Sequence, residues 1–237
     1  MKRWFASVSA ALALAGCALS APVVPPEPVD APTTESGVSL AGFLEVVSRT
    51  RPMAGAVCRE ASPHLDCDFI ILVDDRPGQP ANAFHMRDQR GRPIIGFTTA
   101  FITELENPDE IALVLGHEAG HHIADHIPRL QREAYAGAVM GGLVATLSGL
   151  DRASARELVQ ASAIMRSRRY SQEFEIEADR IGTVIAHRAG FDPLRGAELL
   201  RRSPDPGNRY LSTHPPNAER LRAIERTLAR IEAARNS

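Results

Sequence analysis

Residues 107–121 read NPDEIALVLGHEAGH, and the rest of the fold can be worked out from this stretch. Asn107 suits a helix N-cap, Pro108 suits the first turn, and Glu110 can close a capping box three residues on. Apolar residues then recur at helical spacing, which indicates a helix with one face towards a core. We expect Pro128 to end this helix.

The middle of this helix carries a His-Glu-x-x-His pattern. His117 and His121 are four residues apart, so both imidazoles lie on one helix face and can share one metal ion. Glu118 is rotated from them by about 100° and can take a proton from water at the metal without being a ligand itself. The pattern predicts one Zn²⁺ per chain and hydrolytic chemistry. The alternative, a structural zinc module, requires a closed four-ligand site and has no use for Glu118.

A third zinc ligand is expected from an acidic helix further along the chain, at about residues 171–189. Two pairs of carboxylates have helical spacing there, Glu175 with Asp179 and Glu173 with Glu177. Spacing alone does not choose between the two pairs.

The remaining histidines are weaker candidates. His122 and His126 are also four residues apart and could form a rival site, although packing or solvent exposure is the favoured interpretation. No ligand spacing is found for the other three histidines that we considered, His64, His85 and His187.

Short β-rich runs precede this helix. Phe69–Val73 is predicted as a buried strand, and Ala83–Met86 and Pro93–Phe97 as further strands around a turn. A last helix at about 216–234 has a core-facing apolar stripe. The fold class is therefore α+β: mainly helical, with a small β-sheet beside the His-Glu-x-x-His helix.

The stretch 134–150 has no charged residue, and its length approaches the minimum for a membrane span. Four glycines keep its apolarity modest. We predict a buried helix or a mobile flap beside the site, with membrane contact as the alternative.

The N-terminus indicates export. Two basic residues precede a short apolar run, which predicts a signal peptide over residues 1–16. The run ends Leu-Ala-Gly-Cys, which resembles a bacterial lipobox with Cys17 as the lipidated residue; an ordinary secretory signal is the alternative. Residues 17–38 are rich in proline and predict a linker. One domain is expected over 39–237.

The cysteines indicate the redox environment of the chain, and its net charge restricts the kinds of partner that it can bind. Cys58 and Cys67 are an even pair in an exported chain, which favours a disulfide over two free thiols. The formal net charge is −2, which argues against nucleic acid as a main partner.

Two motifs together carry a family resemblance. Residues 116–122, GHEAGHH, and residues 175–182, EIEADRIG, resemble the HtpX and CAAX-prenyl-endopeptidase family of zinc metallopeptidases, the minigluzincins. The signal, linker and single domain look most like the small LoiP-type periplasmic lipoproteins. The resemblance implies a zincin-like metallopeptidase fold. It also implies Glu175 as the third zinc ligand and Asp179 as the acid that orients a ligand histidine.

The resemblance extends to the end of the chain and to function. His214-Pro215-Pro216, with Arg220 further on, also resembles a late family segment. This resemblance implies that His214 approaches the zinc as an autoinhibitory ligand and that Arg220 lines the active site as a catalytic residue. The alternative for His214 is a helix-start residue before Pro215. Ser171-Gln172 departs from the Ser-Arg that family members usually carry there.

The implied substrates are unfolded or misassembled envelope proteins, bound as extended strands on the periplasmic side of the outer membrane, with assembly components as further partners. The alternative is a chaperone or assembly factor whose proteolysis is secondary or is blocked by His214.

Overall fold

The computed structural model describes residues 38–205 and 215–236 of the chain. The predicted signal peptide, Cys17, nearly all of the predicted linker and His214 lie outside the described residues. The described elements confirm a mainly helical α+β fold with a small sheet. In chain order they are α1 (Leu40–Ala61), β1 (Ile70–Asp74), β2 (Ala83–Arg87), β3 (Pro93–Thr98), α2 (Thr99–Glu104), α3 (Pro108–Ile123), α4 (His126–Leu147), α5 (Arg152–Arg188), α6 (Pro193–Gly196), α7 (Glu198–Arg202) and α8 (Asn217–Arg235).

The sheet has three strands in the order β1-β3-β2. β1 pairs with β3 in parallel, and β2 pairs with β3 in antiparallel fashion. All three strands lie within two residues of their predicted positions. The prediction that the first strand is buried is wrong: β1 is an outer strand, and Leu72 is 39% exposed. The buried strand is β3, which has a neighbour on each side.

Helix α3 begins at the predicted Asn107 cap, although the reciprocal bond of the predicted capping box goes to the backbone of Glu106 rather than to that of Asn107. The Asn107 side chain accepts a hydrogen bond from the Glu110 backbone N–H at 3.1 Å. The Glu110 carboxylate accepts one from the Glu106 backbone N–H at 2.8 Å. This carboxylate is fully buried, and Arg202 pairs with it at 2.7 Å. An ion pair from the later chain therefore holds the predicted cap in place.

The end of α3 differs from the prediction. The helix stops at Ile123, and α4 begins at His126. Between them, Asp125 has φ +56°, a left-handed conformation that ends a helix. Arg87 donates a hydrogen bond to the Asp125 carboxylate at 2.8 Å. Pro128 does not end α3 but lies in the first turn of α4, where a missing N–H breaks no helical hydrogen bond.

Helix α5 is much longer than the predicted 171–189. It begins at Arg152, where the Asp151 side chain accepts hydrogen bonds from two backbone N–H groups as the N-cap. Its first half packs against α4, so the two helices form a hairpin. The missed segment lacks a clear stripe of large apolar residues, because it packs on the glycines of α4 partly through the small residues Ser162 and Ala163.

The charge-free stretch 134–150 is helical for most of its length, but it is not a buried helix. Only its small residues face α5; Tyr135 is 73% exposed and Leu147 is 79% exposed. Every helix among the described residues falls short of the length and apolarity that a membrane crossing requires.

The main core lies between α1, α3, the C-terminal half of α5 and the sheet. Its large side chains come from all of these elements. Ile224 and Leu228 of α8 are buried, as the predicted stripe requires. The core also contains a disulfide between Cys58 and Cys67. The fully buried side chains include Phe43, Phe97, Ile111, Leu115 and Ile185.

Candidate metal centre

Helices α3 and α5 cross at small residues. A Cβ on Gly116 would lie 2.8 Å from the Gly182 carbonyl oxygen, and one on Gly120 would lie 2.9 Å from the Ala178 carbonyl oxygen. Because no side chain separates the backbones there, the two helices approach closely. The crossing therefore brings the histidine-bearing turns of α3 against the acidic turns of α5.

Three side chains converge at this crossing. The Nε2 atoms of His117 and His121 are 3.1 Å apart, and each lies 3.4 Å from a carboxylate oxygen of Glu175. Tetrahedral zinc with bonds of about 2.0–2.1 Å spaces its ligand atoms about 3.3 Å apart. The three donors therefore fit zinc. Within the described ranges they form a three-residue group that could hold a metal ion, which leaves a fourth position for water or substrate.

The second ring nitrogen of His117 is held from α5. His117 Nδ1 lies 2.9 Å from the Asp179 carboxylate. Arg220 donates to both oxygens of this carboxylate, at 2.8 and 2.7 Å. If Nε2 binds the metal, the ring proton is on Nδ1, so His117 donates to Asp179. The structure therefore places Asp179 behind His117, and Arg220 behind Asp179.

The charges at this position favour a cation. Burial opposes a charged His117, but hydrogen bonds to Asp179 and Glu175 outweigh it and raise the pKa of His117 to about 10. Burial likewise opposes a charged Asp179, but the Arg220 guanidinium and His117 hold the pKa of Asp179 below its ordinary value. Arg220 offsets the charge of Asp179, and a divalent metal at the three donors would offset that of Glu175.

His121 is also held through its second nitrogen, by His126, for which the sequence favours packing or solvent exposure. His121 Nδ1 lies 2.8 Å from His126 Nδ1. His126 Nε2 lies 3.1 Å from Glu177, and Arg129 donates to the same oxygen at 2.7 Å. Of the two carboxylate pairs left open by spacing, the structure brings Glu175 and Asp179 to the metal position. Glu177 instead lies behind His126.

The rival pair His122 and His126 does not come together. His122 is buried and donates from Nε2 to the Asp66 carbonyl oxygen at 2.7 Å. Its ring also packs against Phe69. His126 stacks on Phe174, with ring centroids 4.3 Å apart. The two rings face different neighbours, so they do not share an ion.

Glu118 lines two adjacent cavities. The first, of about 310 Å³, is also lined by His117, Arg220 and apolar residues such as Phe101 and Leu199. The second, of about 300 Å³, lies beside strand β2. An outer strand of the sheet therefore runs past both cavities, next to Glu118.

Comparisons with known proteins agree with this geometry. The family model described as Peptidase family M48 matches residues 45–228. The chain is 29% identical over 188 residues to the mitochondrial metalloendopeptidase OMA1 of Arabidopsis thaliana, covering 73% of this chain and 34% of that protein. It is 30% identical to OMA1 of Saccharomyces cerevisiae, covering 67% and 46%. It is 31% identical to the beta-barrel assembly-enhancing protease of Yersinia pestis, covering 49% and 25%. The chain thus spans less than half the length of each of these relatives.

Proposed function

Because the chain belongs to peptidase family M48, we propose that it is a zinc-dependent metalloendopeptidase. The observation that carries this proposal is the convergence of His117, His121 and Glu175, with Glu118 beside two cavities. This arrangement suits hydrolysis better than a purely structural site, since three protein donors leave one metal position open.

Different residues of the chain have different roles in the proposed hydrolysis. Zinc held by the three donors would supply a Lewis acid that polarises the scissile carbonyl and makes water more nucleophilic at neutral pH. Glu118 accepts the proton from the attacking water and passes it to the leaving amine. Asp179 fixes the proton of His117 on Nδ1, and Arg220 holds Asp179. Arg220 also lines the cavity, from which it can stabilise developing negative charge.

The substrates that we propose are unfolded or misassembled proteins of the cell envelope. An extended chain can pair with β2, which is an outer strand of the described sheet and lines both cavities. Such pairing uses backbone hydrogen bonds, so it selects for an extended segment with unpaired backbone groups rather than for particular side chains. The name of the Yersinia pestis relative concerns β-barrel assembly, which supports envelope proteins as the substrate class.

We further propose that the chain is a LoiP-type lipoprotein anchored through Cys17 on the periplasmic side of the outer membrane. The support is the lipobox-like end of the N-terminal apolar run, together with the disulfide between Cys58 and Cys67, which suits an oxidising compartment. Radiolabelled palmitate should be incorporated by the wild-type chain and not by Cys17→Ala.

The central experiment measures zinc-dependent cleavage of an unfolded protein. The wild-type chain should cleave it, and a chelator should abolish cleavage. Glu118→Gln should lower kcat by about 10²–10⁴-fold while zinc stays bound, because only the proton acceptor is lost. Glu225→Gln, at an exposed site on α8, is the matched control and should cleave normally. Undiminished cleavage by Glu118→Gln would refute the proposed role.

If the wild-type chain binds zinc but cleaves no substrate, a second experiment is needed. His214→Ala should then release activity if His214 is an autoinhibitory ligand. If that variant is also inactive, and the Glu118→Gln chain still suppresses aggregation of β-barrel proteins, the chain is an assembly factor and the peptidase proposal fails.

A further inference from the structure

The two predicted histidine ligands are supported by different kinds of residue. His117 is backed by a carboxylate, Asp179, which the motif on α5 supplies. His121 is backed by another imidazole, His126, at 2.8 Å between the Nδ1 atoms. This second support comes from the first residue of α4, and it exists because α3 breaks at Asp125 and the chain turns back.

The direction of this hydrogen bond follows from metal binding. A neutral imidazole carries one proton, on Nδ1 or on Nε2. His121 points Nε2 at the metal position, so its proton must be on Nδ1. His121 therefore donates, and His126 must accept with an unprotonated Nδ1. The proton of His126 is then on Nε2.

Glu177 holds His126 in the tautomer that carries its proton on Nε2. His126 Nε2 lies 3.1 Å from the Glu177 carboxylate, which can only accept. Arg129 donates a hydrogen bond to the same oxygen at 2.7 Å. Every donor in this chain of contacts thus meets an acceptor when His121 binds metal through Nε2.

The orientation of His126 is also fixed by packing. Its ring stacks on Phe174 with an angle of 10° between the planes, and its side chain is only 5% exposed. Arg129 lies over the same phenylalanine ring, 4.4 Å from its centre. The ring therefore has little freedom to turn its Nδ1 atom away from His121.

We propose that His126 is a positioning residue for the metal centre: its Nδ1 accepts the proton of His121, and Glu177 and Arg129 lock it in that form. The proposal rests on the proposed function only in taking zinc as the bound ion. The expected result of removing the acceptor is a metal affinity lower by about 10–100-fold.

Two substitutions at His126 separate this role from packing. His126→Phe keeps an aromatic ring against Phe174 but removes the acceptor. His126→Asn loses the ring, yet its amide oxygen can occupy the position of Nδ1 and accept from His121. Hydrogen bonding predicts that His126→Asn binds zinc more tightly than His126→Phe. A packing role alone predicts the opposite order.

The measurement uses the full chain with zinc and with Co²⁺, in competition with a chromophoric chelator. The visible spectrum of the Co²⁺ form reports ligand geometry, which a merely structural role would leave unchanged. The His126→Phe spectrum should shift, and the His126→Asn spectrum should return towards wild type. Equal affinities and equal spectra in all three chains would overturn the proposal. A wild-type chain that binds neither ion would instead refute the proposed function.

Glu177 provides a test that does not depend on how His126 variants fold. Glu177→Gln removes the charge behind His126 and should weaken zinc binding several-fold. Glu173→Gln, one turn earlier on α5 and exposed, is the matched control and should bind zinc like wild type. Identical affinities for the two variants would show that Glu177 has no influence on the metal. This result would contradict its proposed role in fixing the tautomer of His126.

Discussion

The two halves of α5 use the same packing device in different surroundings. Its C-terminal half crosses α3 at Gly116 and Gly120, and its N-terminal half packs on α4 at Gly137 and Gly141. Both glycine pairs are four residues apart, so each presents one smooth helix face to α5. Both contacts are close enough that an added Cβ would meet backbone or side-chain atoms of α5.

The difference lies in what surrounds each contact. The crossing with α3 is enclosed by α1, the sheet and α8, and Asp179 within it is only 2% exposed. The hairpin with α4 has few other neighbours in the described chain, and the outer side of α4 is open: Val139 and Leu143 are about half exposed. Close helix packing alone therefore does not make a site. Polar side chains become fixed and strongly interacting where further layers exclude water from them.

We expect the largest loss of stability in the C-terminal half of α5, where a buried charge would lose its partner. Arg220→Ala would leave the buried Asp179 carboxylate without its ion pair and should lower the free energy of unfolding by about 3 kcal/mol. Arg156→Ala, at an exposed position in the other half of α5, should change it by less than about 0.5 kcal/mol. Urea unfolding of both variants tests this; similar losses would remove the distinction.

A second test compares two leucines. Leu115→Ala in α3 creates a cavity in a fully buried position and should cost about 3 kcal/mol. Leu143→Ala in α4 removes a side chain that is 52% exposed and should cost less than about 0.5 kcal/mol. Thermal unfolding measures both. A large loss from Leu143→Ala would mean that the open side of α4 is covered in the intact chain.

A third test asks whether the hairpin influences the metal. A Cβ at Gly182 would lie 2.7 Å from the His117 backbone nitrogen, and one at Gly141 would lie 2.9 Å from the Leu158 carbonyl oxygen. Both alanine variants should lose about 1–2 kcal/mol of stability. Only Gly182→Ala should weaken zinc binding, as measured by chelator competition. Equal loss of affinity in Gly141→Ala would show that the two halves of α5 are coupled.

The smallest expected effect is a gain. Gly142 is inside α4, and a Cβ there would meet only a Val159 methyl group at an ordinary 3.8 Å. Gly142→Ala should therefore stabilise the chain by about 0.5–1 kcal/mol through helix propensity alone. A small rise in Tm with unchanged zinc affinity is the expected result; a fall would show a contact that the described residues do not contain.

The parts of the fold that were predicted correctly rest on local signals. The Asn107 cap, the three strands and the stripe on α8 depend on residues within a turn or two of each other. The end of α3 was missed because it depends on Asp125, whose left-handed backbone is supported by Arg87 from β2. The long start of α5 has no clear stripe of large apolar residues, because it contacts α4 partly through small residues such as Ser162 and Ala163.

At the metal centre, the arrangement of His117, Glu118 and His121 follows from the amino-acid sequence alone, because helix geometry sets which residues share a face. Helix spacing left open which carboxylates join them, and only the resemblance to a known family indicated Glu175 and Asp179. Glu175 and Glu177 are two residues apart, about 200° around α5, so only the crossing with α3 decides that the first reaches the metal position and the second reaches His126. Tertiary structure made this choice because His117 and Asp179 are 62 residues apart, and their contact depends on two glycine-lined helix faces meeting.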